Sequence, residues 1–222
     1  KSLVAQLEEK NNQVASTRWE NPFAKDKVDE AINSGIQFLL KSQKKDGAIY
    51  DRGHPTAITA LSVMTLAAVG HLPIHPNENG EAMARAINYL LLDKNQNEVG
   101  YLGKDGGRMY GHGIVTLTLA EMLGMGIDEE VDTAIREKCQ LAINLILRSQ
   151  KVTKNQSQQQ GGWRYSPDST DADLSVSIWQ LMALRSAKNS GLKVPTEAIT
   201  NAIEYLKRSY KSKIDQKGNP IN

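Results

Sequence analysis

The chain has 222 residues, 40% of them hydrophobic and 23% charged, and 27 basic against 25 acidic side chains leave a net charge of +2. That length supports one large core or two small ones. With no block of like charge and only 5% aromatic residues, nothing points to nucleic acid. The single cysteine, Cys139, excludes an internal disulfide and a cysteine metal cluster.

In chain order, residues 1–27 read as a polar N-terminal helix and a linker, the helix ending near Ser16 and the loop centred on Asn21-Pro22. From residue 28 to 222 the chain copies itself. "IQFLLKSQ" from Ile36, "INYLLLDK" from Ile87, "INLILRSQ" from Ile143 and "IEYLKRSY" from Ile203 are variants of one segment. A glycine turn follows each, at Gly47, Gly100, Gly162 and Gly218. After the first three turns comes a second apolar segment, from Thr56, Tyr110 and Asp173.

Both segment types have a helical period. Ile32, Ile36, Leu39 and Leu40 fall on one face of the first type, whose opposite face is charged. Ala57, Leu61, Met64 and Ala68 do so in the second, which is apolar nearly all round and expects burial on two sides. The predicted fold is therefore all-α: outer amphipathic helices and inner apolar helices joined by glycine turns. Such hairpins must stack to bury their apolar faces. The polar, glutamine-rich stretch Val152–Gln160 reads as an exposed loop. No apolar run approaches the roughly 20 residues of a membrane span.

The stretches "FLLKSQKKDGAIY" (38–50) and "LILRSQKVTKNQSQQQGGWRY" (145–165) resemble the glutamine-to-glycine-aromatic repeat of the squalene cyclase and prenyltransferase α/α-toroid superfamily. "LLLDKNQNEVGYLG" keeps the glycine and tyrosine of that repeat with altered spacing. The resemblance implies an α/α-toroid of about three and a half repeats, an incomplete ring beside the family's six or so helix pairs. An exported or periplasmic bacterial setting is expected, since the chain opens at Lys1 and is poor in cysteine.

The family's cyclases protonate substrate from an Asp-x-Asp-Asp motif. Here Asp171-Ala172-Asp173-Leu174 lacks the third aspartate. Asp171 and Asp173 are therefore read first as helix N-caps and second as candidate acids. The stretch "GGRMYGHGI" (106–114) opens an inner helix. In it Arg108, Tyr110 and His112 match in part the residue types that hold diphosphate in prenyltransferases, and a glycine-rich helix N-terminus suits anions. Asp51, Arg52 and His54 hold the corresponding place in the first unit.

The zinc prenyltransferase pattern is absent: Cys139 lacks its partner aspartate and is expected to face outward. His71 and His75 are too few for a metal site, and no Cys-x-Glu-Gln thioester motif occurs. Trp163 and Trp179 read as packing residues. The expectation is a binding or interaction domain without a cofactor. Its ligand would be a hydrophobic, isoprenoid or anionic small molecule held by His54, Arg108, Tyr110, His112 and Asp173. A protein partner or homo-oligomer is the other occupant considered. The alternatives are a terpenoid cyclase acting through Asp171 or Asp173, and a polysaccharide lyase or glycosidase.

Overall fold

The computed structural model describes residues 27–50, 53–125 and 128–210, and every regular element among them is helical. The described residues form seven α-helices: α1 (Lys27–Ser42), α2 (Pro55–Ala68), α3 (Glu78–Leu90), α4 (Arg108–Met122), α5 (Glu129–Gln150), α6 (Leu174–Asn189) and α7 (Thr196–Ser209). Two 3-10 turns, Asp93–Asn95 and Ser157–Gln159, sit in the loops. The N-terminal helix expected before residue 27, Asp51, Arg52 and the glycine turn at Gly218 lie outside the described residues. The chain divides into two compact units, Lys1–Phe38 and Leu39–Asn222. The second unit contains all the helices from α2 to α7.

Hydrophobic pattern decides which helices of this unit go inside. The apolar helices α2, α4 and α6 pack side by side in that order. The amphipathic helices flank them, α3 against α2, α5 against α4 and α6, and α7 against α6. Central α4 buries twelve of its fifteen residues. Its glycines make that possible, because a β-carbon at Gly113 would stand 2.9 Å from Cβ of Trp179 on α6. Two helices can approach this closely only where a side chain is missing.

One turn architecture occurs three times. Gln43, Gln96 and Gln150 each donate from Nε2 to two carbonyls. Gln43 binds Gly47 O (3.0 Å) and Ala82 O (2.8 Å), Gln96 binds Gly100 O (3.2 Å) and Lys138 O (2.9 Å), and Gln150 binds Gly161 O (3.0 Å) and Ala198 O (2.8 Å). Each glutamine thus ties its own turn to the next flanking helix. The glycine it holds has φ near +90°, and a β-carbon there would overlap the carbonyl of Arg85, Leu141 or Asn201. Positive φ and lack of room together demand glycine.

Two residues past that glycine, a buried N–H donates to a side chain of the apolar helix. Ile49 donates to Thr59 Oγ1 (2.9 Å), Leu102 to His112 Nδ1 (3.2 Å) and Trp163 to Ser177 Oγ (2.9 Å). Thr59, His112 and Ser177 are therefore equivalent positions.

The loop Val152–Gln160 is mostly exposed, as expected, and is pinned at Lys154. Lys154 is 7% exposed and donates from Nζ to Ser169 O at 2.7 Å, while its backbone N–H donates to Gln160 Oε1. Burial lowers the pKa of this ammonium, and nearby Asp171 works the other way. Cys139, expected to face outward, points into the core, with its thiol 3.7 Å from Thr116 O. Burial pushes that thiol up to about 12 and removes its nucleophilic character. Trp163 is a core residue and donates from Nε1 to Ile146 O at 2.9 Å.

Candidate functional site

The starts of α2, α4 and α6 carry the site residues expected from the sequence. Each start needs acceptors for its first N–H groups. Helix α6 caps itself: Asp173 Oδ1 accepts from Val176 N at 3.0 Å. Ser175 Oγ (3.2 Å) and Tyr110 Oη (3.5 Å) also reach that oxygen, and Tyr110 Oη is bonded to Ser175 Oγ in turn. Helix α2 borrows its cap from the following unit, where Asp105 Oδ2 accepts from Thr56 N (2.9 Å) and Thr56 Oγ1 (2.6 Å). Helix α4 does likewise, with Met109 N donating to Tyr165 O at 3.0 Å.

These partners assign several residues. Asp173 is a helix cap. Asp171 is partly exposed and pairs with Arg164 at 2.9 Å. Neither environment resembles the apolar pocket that holds a carboxylic acid protonated for donation. Asp168 is exposed.

His112, expected to line a ligand mouth, lies in the core. It is 0% exposed, and both ring nitrogens are engaged. Nδ1 accepts from Leu102 N, so Nε2 carries the proton and donates to Ala142 O at 3.2 Å. Burial pulls its pKa down to about 4, against a smaller opposing effect of the Ala142 hydrogen bond. His112 is therefore a neutral structural histidine that bridges a turn, α4 and α5, and it reaches no ligand.

The other mouth residues do come together. His54, Arg108, Tyr110 and Tyr165 rim a hollow of about 370 Å³ between the starts of α2 and α4. Its floor is apolar, formed by Ala57, Ile58, Leu61 and Ile114. Gly106, at φ +92°, leaves room for the His54 ring above the loop backbone. Tyr110 and Tyr165 stack with centroids 6.0 Å apart, and the Arg164 guanidinium lies 4.9 Å from the Tyr165 ring. Arg108 has φ +50°, the one non-glycine residue with positive φ among those described. Its guanidinium and the His54 ring are exposed and make no hydrogen bond or ion pair among the described residues. Backbone strain of this kind costs roughly 1 kcal/mol or more and concentrates at binding sites.

Sequence reasoning does not find Tyr165, because the aspartates from Asp168 to Asp173 dominate that stretch and only the fold brings the tyrosine over α4. A larger hollow, about 800 Å³, lies between the 3-10 turn Ser157–Gln159 and α7. Its main polar groups are already spent on structure: Gln150 holds its turn, and Arg208 donates to the carbonyls of Gln158 and Gln160.

No metal site appears among the described residues. His71 Nε2 meets Asn79 Nδ2 at 2.9 Å and His75 Nδ1 accepts from Leu72 N. No group of three or more His, Cys, Asp or Glu among the described residues is placed to hold a metal ion. No described helix is long and apolar enough to cross a membrane. Comparisons with protein-family models, with curated proteins and with solved structures find no match to this chain.

Proposed function

We propose that the chain is a ligand-binding domain, built as an open arc of α/α-toroid hairpins, that holds an amphipathic anion between the starts of α2 and α4. The observation that carries this reading is the hollow itself: an apolar floor under a rim of Arg108 and His54, neither paired among the described residues, and two stacked tyrosines. An apolar cavity with a few convergent polar groups is the usual form of a small-molecule site. A guanidinium with its fork unpaired suits a carboxylate or phosphate. The order of packing and the thrice-used glutamine turn support the toroid reading.

Cyclase chemistry is the weaker reading, because Asp171 is ion-paired and Asp173 caps α6. A glycosidase needs two carboxylates flanking a groove, and a lyase a basic side chain beside one. Among the described residues, the acidic side chains near the hollow are Asp105 and Asp173, and both act as caps.

Calorimetric titration with octanoate and with geranyl phosphate tests the proposal, using the wild type and Arg108→Gly. Removing Arg108 relieves the positive-φ strain, so the variant should melt at or above the wild-type temperature. It should nevertheless bind the anion about tenfold or more weakly. Equal binding by the two proteins, or none by the wild type, would sink the idea.

A further inference from the structure

The larger hollow, beside the 3-10 turn Ser157–Gln159, gains a meaning when its unit is laid over the first. Gln43 binds Ala82 O where Gln150 binds Ala198 O. A β-carbon on Gly47 would strike Arg85 O, and one on Gly161 would strike Asn201 O. Both contacts give the same register: Glu81 corresponds to Glu197, and Arg85 to Asn201.

In the first unit the glutamine also accepts. Arg85 donates to Gln43 Oε1 from Nε (3.2 Å) and Nη2 (2.9 Å), and its Nη1 stands 3.9 Å from Glu81 Oε2. One edge of the guanidinium is held by an amide oxygen while its remaining nitrogen faces a carboxylate. The third unit keeps both acceptors and lacks the arginine. Gln150 is 5% exposed and spends Nε2 on its turn, which leaves Oε1 without a bonded partner among the described residues. A buried acceptor without a donor is costly. Glu197 is exposed and makes no ion pair among the described residues. Asn201 is several atoms shorter than arginine, and Gln150, Glu197 and Asn201 all line the hollow of about 800 Å³. The groups spent on structure there are donors, namely Gln150 Nε2 and the Arg208 guanidinium. Lys151 also lines the hollow, yet its ammonium bonds neither Gln150 nor Glu197. The middle unit keeps Gln96 and Glu137 but puts Leu141 in the place of the arginine.

We infer that this hollow takes a guanidinium group on an alkyl stem from outside the chain. It sits between Gln150 Oε1 and Glu197 as Arg85 sits between Gln43 Oε1 and Glu81. The fork offers different nitrogens to the two acceptors, whereas an ammonium has one nitrogen to serve both. This site is separate from the hollow between α2 and α4 and does not depend on it.

Calorimetric titration with agmatine and with the blocked peptide acetyl-Ala-Arg-Ala-amide tests the inference. The control is 1,5-diaminopentane, which carries the same charge as agmatine. The wild type should bind both guanidinium compounds at least about tenfold more tightly than the diamine. Tighter agmatine identifies a free small molecule as the source, and a tighter peptide identifies an arginine of a polypeptide. Asn201→Arg supplies the guanidinium from within, so it should melt at or above the wild-type temperature and lose uptake of both compounds. Glu197→Gln keeps the size and removes the charge, so it should weaken binding by about tenfold or more with an unchanged circular dichroism spectrum. Arg108→Gly, altered at the other hollow, should bind agmatine as the wild type does, which keeps failure at one site distinct from failure at the other. No uptake by the wild type, equal uptake by Asn201→Arg, or a diamine bound as tightly as agmatine would each overturn the inference.

Discussion

Helices α4 and α6 begin as the same object and end in different surroundings. Both follow a turn closed by a glutamine on a positive-φ glycine, and both accept a turn N–H four or five residues from their start region, on His112 and Ser177. Helix α4 has a neighbour on either side and buries twelve of fifteen residues, whereas α6 has one neighbour in its row and buries seven of sixteen. The sequence adapts to this. Where α4 has Gly113 for close approach, α6 has Ile178. Composition alone makes both helices look like core, and only the count of neighbours separates a packed helix from one with an open side.

The sharpest way to break the comparison is to substitute the equivalent position in both. Gly113→Leu drives a side chain into Trp179 and Gln180 and should cost more than about 3 kcal/mol, or prevent folding outright. Ile178→Ala, at the equivalent site on α6, should change stability by no more than about 0.5 kcal/mol in dilute solution. Urea melts of both variants give the answer, and similar losses would mean that α6 is covered within the monomer.

His112→Ala comes next. It orphans the Leu102 N–H and the Ala142 carbonyl in a dry core and opens a cavity, so about 3 kcal/mol should be lost. His112 also predicts a pH effect. Its folded pKa, about 4, lies below the unfolded value of 6.5. The unfolded chain therefore takes up the proton first as pH falls. The stability tied to the neutral ring is complete above pH 6.5 and declines between 6.5 and 4, at about 1.4 kcal/mol per pH unit. Melts at pH 7, 6 and 5 should show this slope in the wild type. A His112→Gln protein, which cannot titrate there, should lack it.

A smaller contrast separates the three glutamine turns. Gln150 is 5% exposed and Gln43 is only part-buried. Gln150→Ala should therefore cost about 2 kcal/mol, with Gln43→Ala nearer 1, because water can replace the lost donor only at the latter. Asp173→Ala should likewise cost about 1 kcal/mol, through the lost α6 cap. Thermal melts rank all three, and the reverse order for the glutamines would show that exposure does not govern this turn.

Much of the fold is legible in the residues. The 3.6 period marks the amphipathic helices α1, α3, α5 and α7, continuous apolar segments mark α2, α4 and α6, and the glycine after each outer segment marks the turns. Gln43 and Gln150 stand out because each ends an outer segment in a basic residue followed by Ser-Gln. Gln96 is legible only as part of a degenerate copy, since its segment ends early in a 3-10 turn. The site is harder to read. Arg108, Tyr110 and His54 do meet at one hollow. His112 misleads because a histidine two residues from Tyr110 looks like a mouth residue, yet on a helix the two point about 200° apart. The roles of Asp105 and Tyr165 depend on which loop lies over which helix start, and no local pattern encodes that.

The borrowed caps have a consequence for how the protein comes apart. Thr56 is held by Asp105 and Met109 by Tyr165, so each helix start is latched by the unit made after it. Ribosomal synthesis therefore delivers every latch late: α2 cannot be finished until Asp105 has emerged, nor α4 until Tyr165 has. Loss proceeds the same way in reverse. When the last unit frays, α4 is unlatched while its own residues are still intact, so hydrogen exchange at Met109 should report damage that began more than fifty residues downstream.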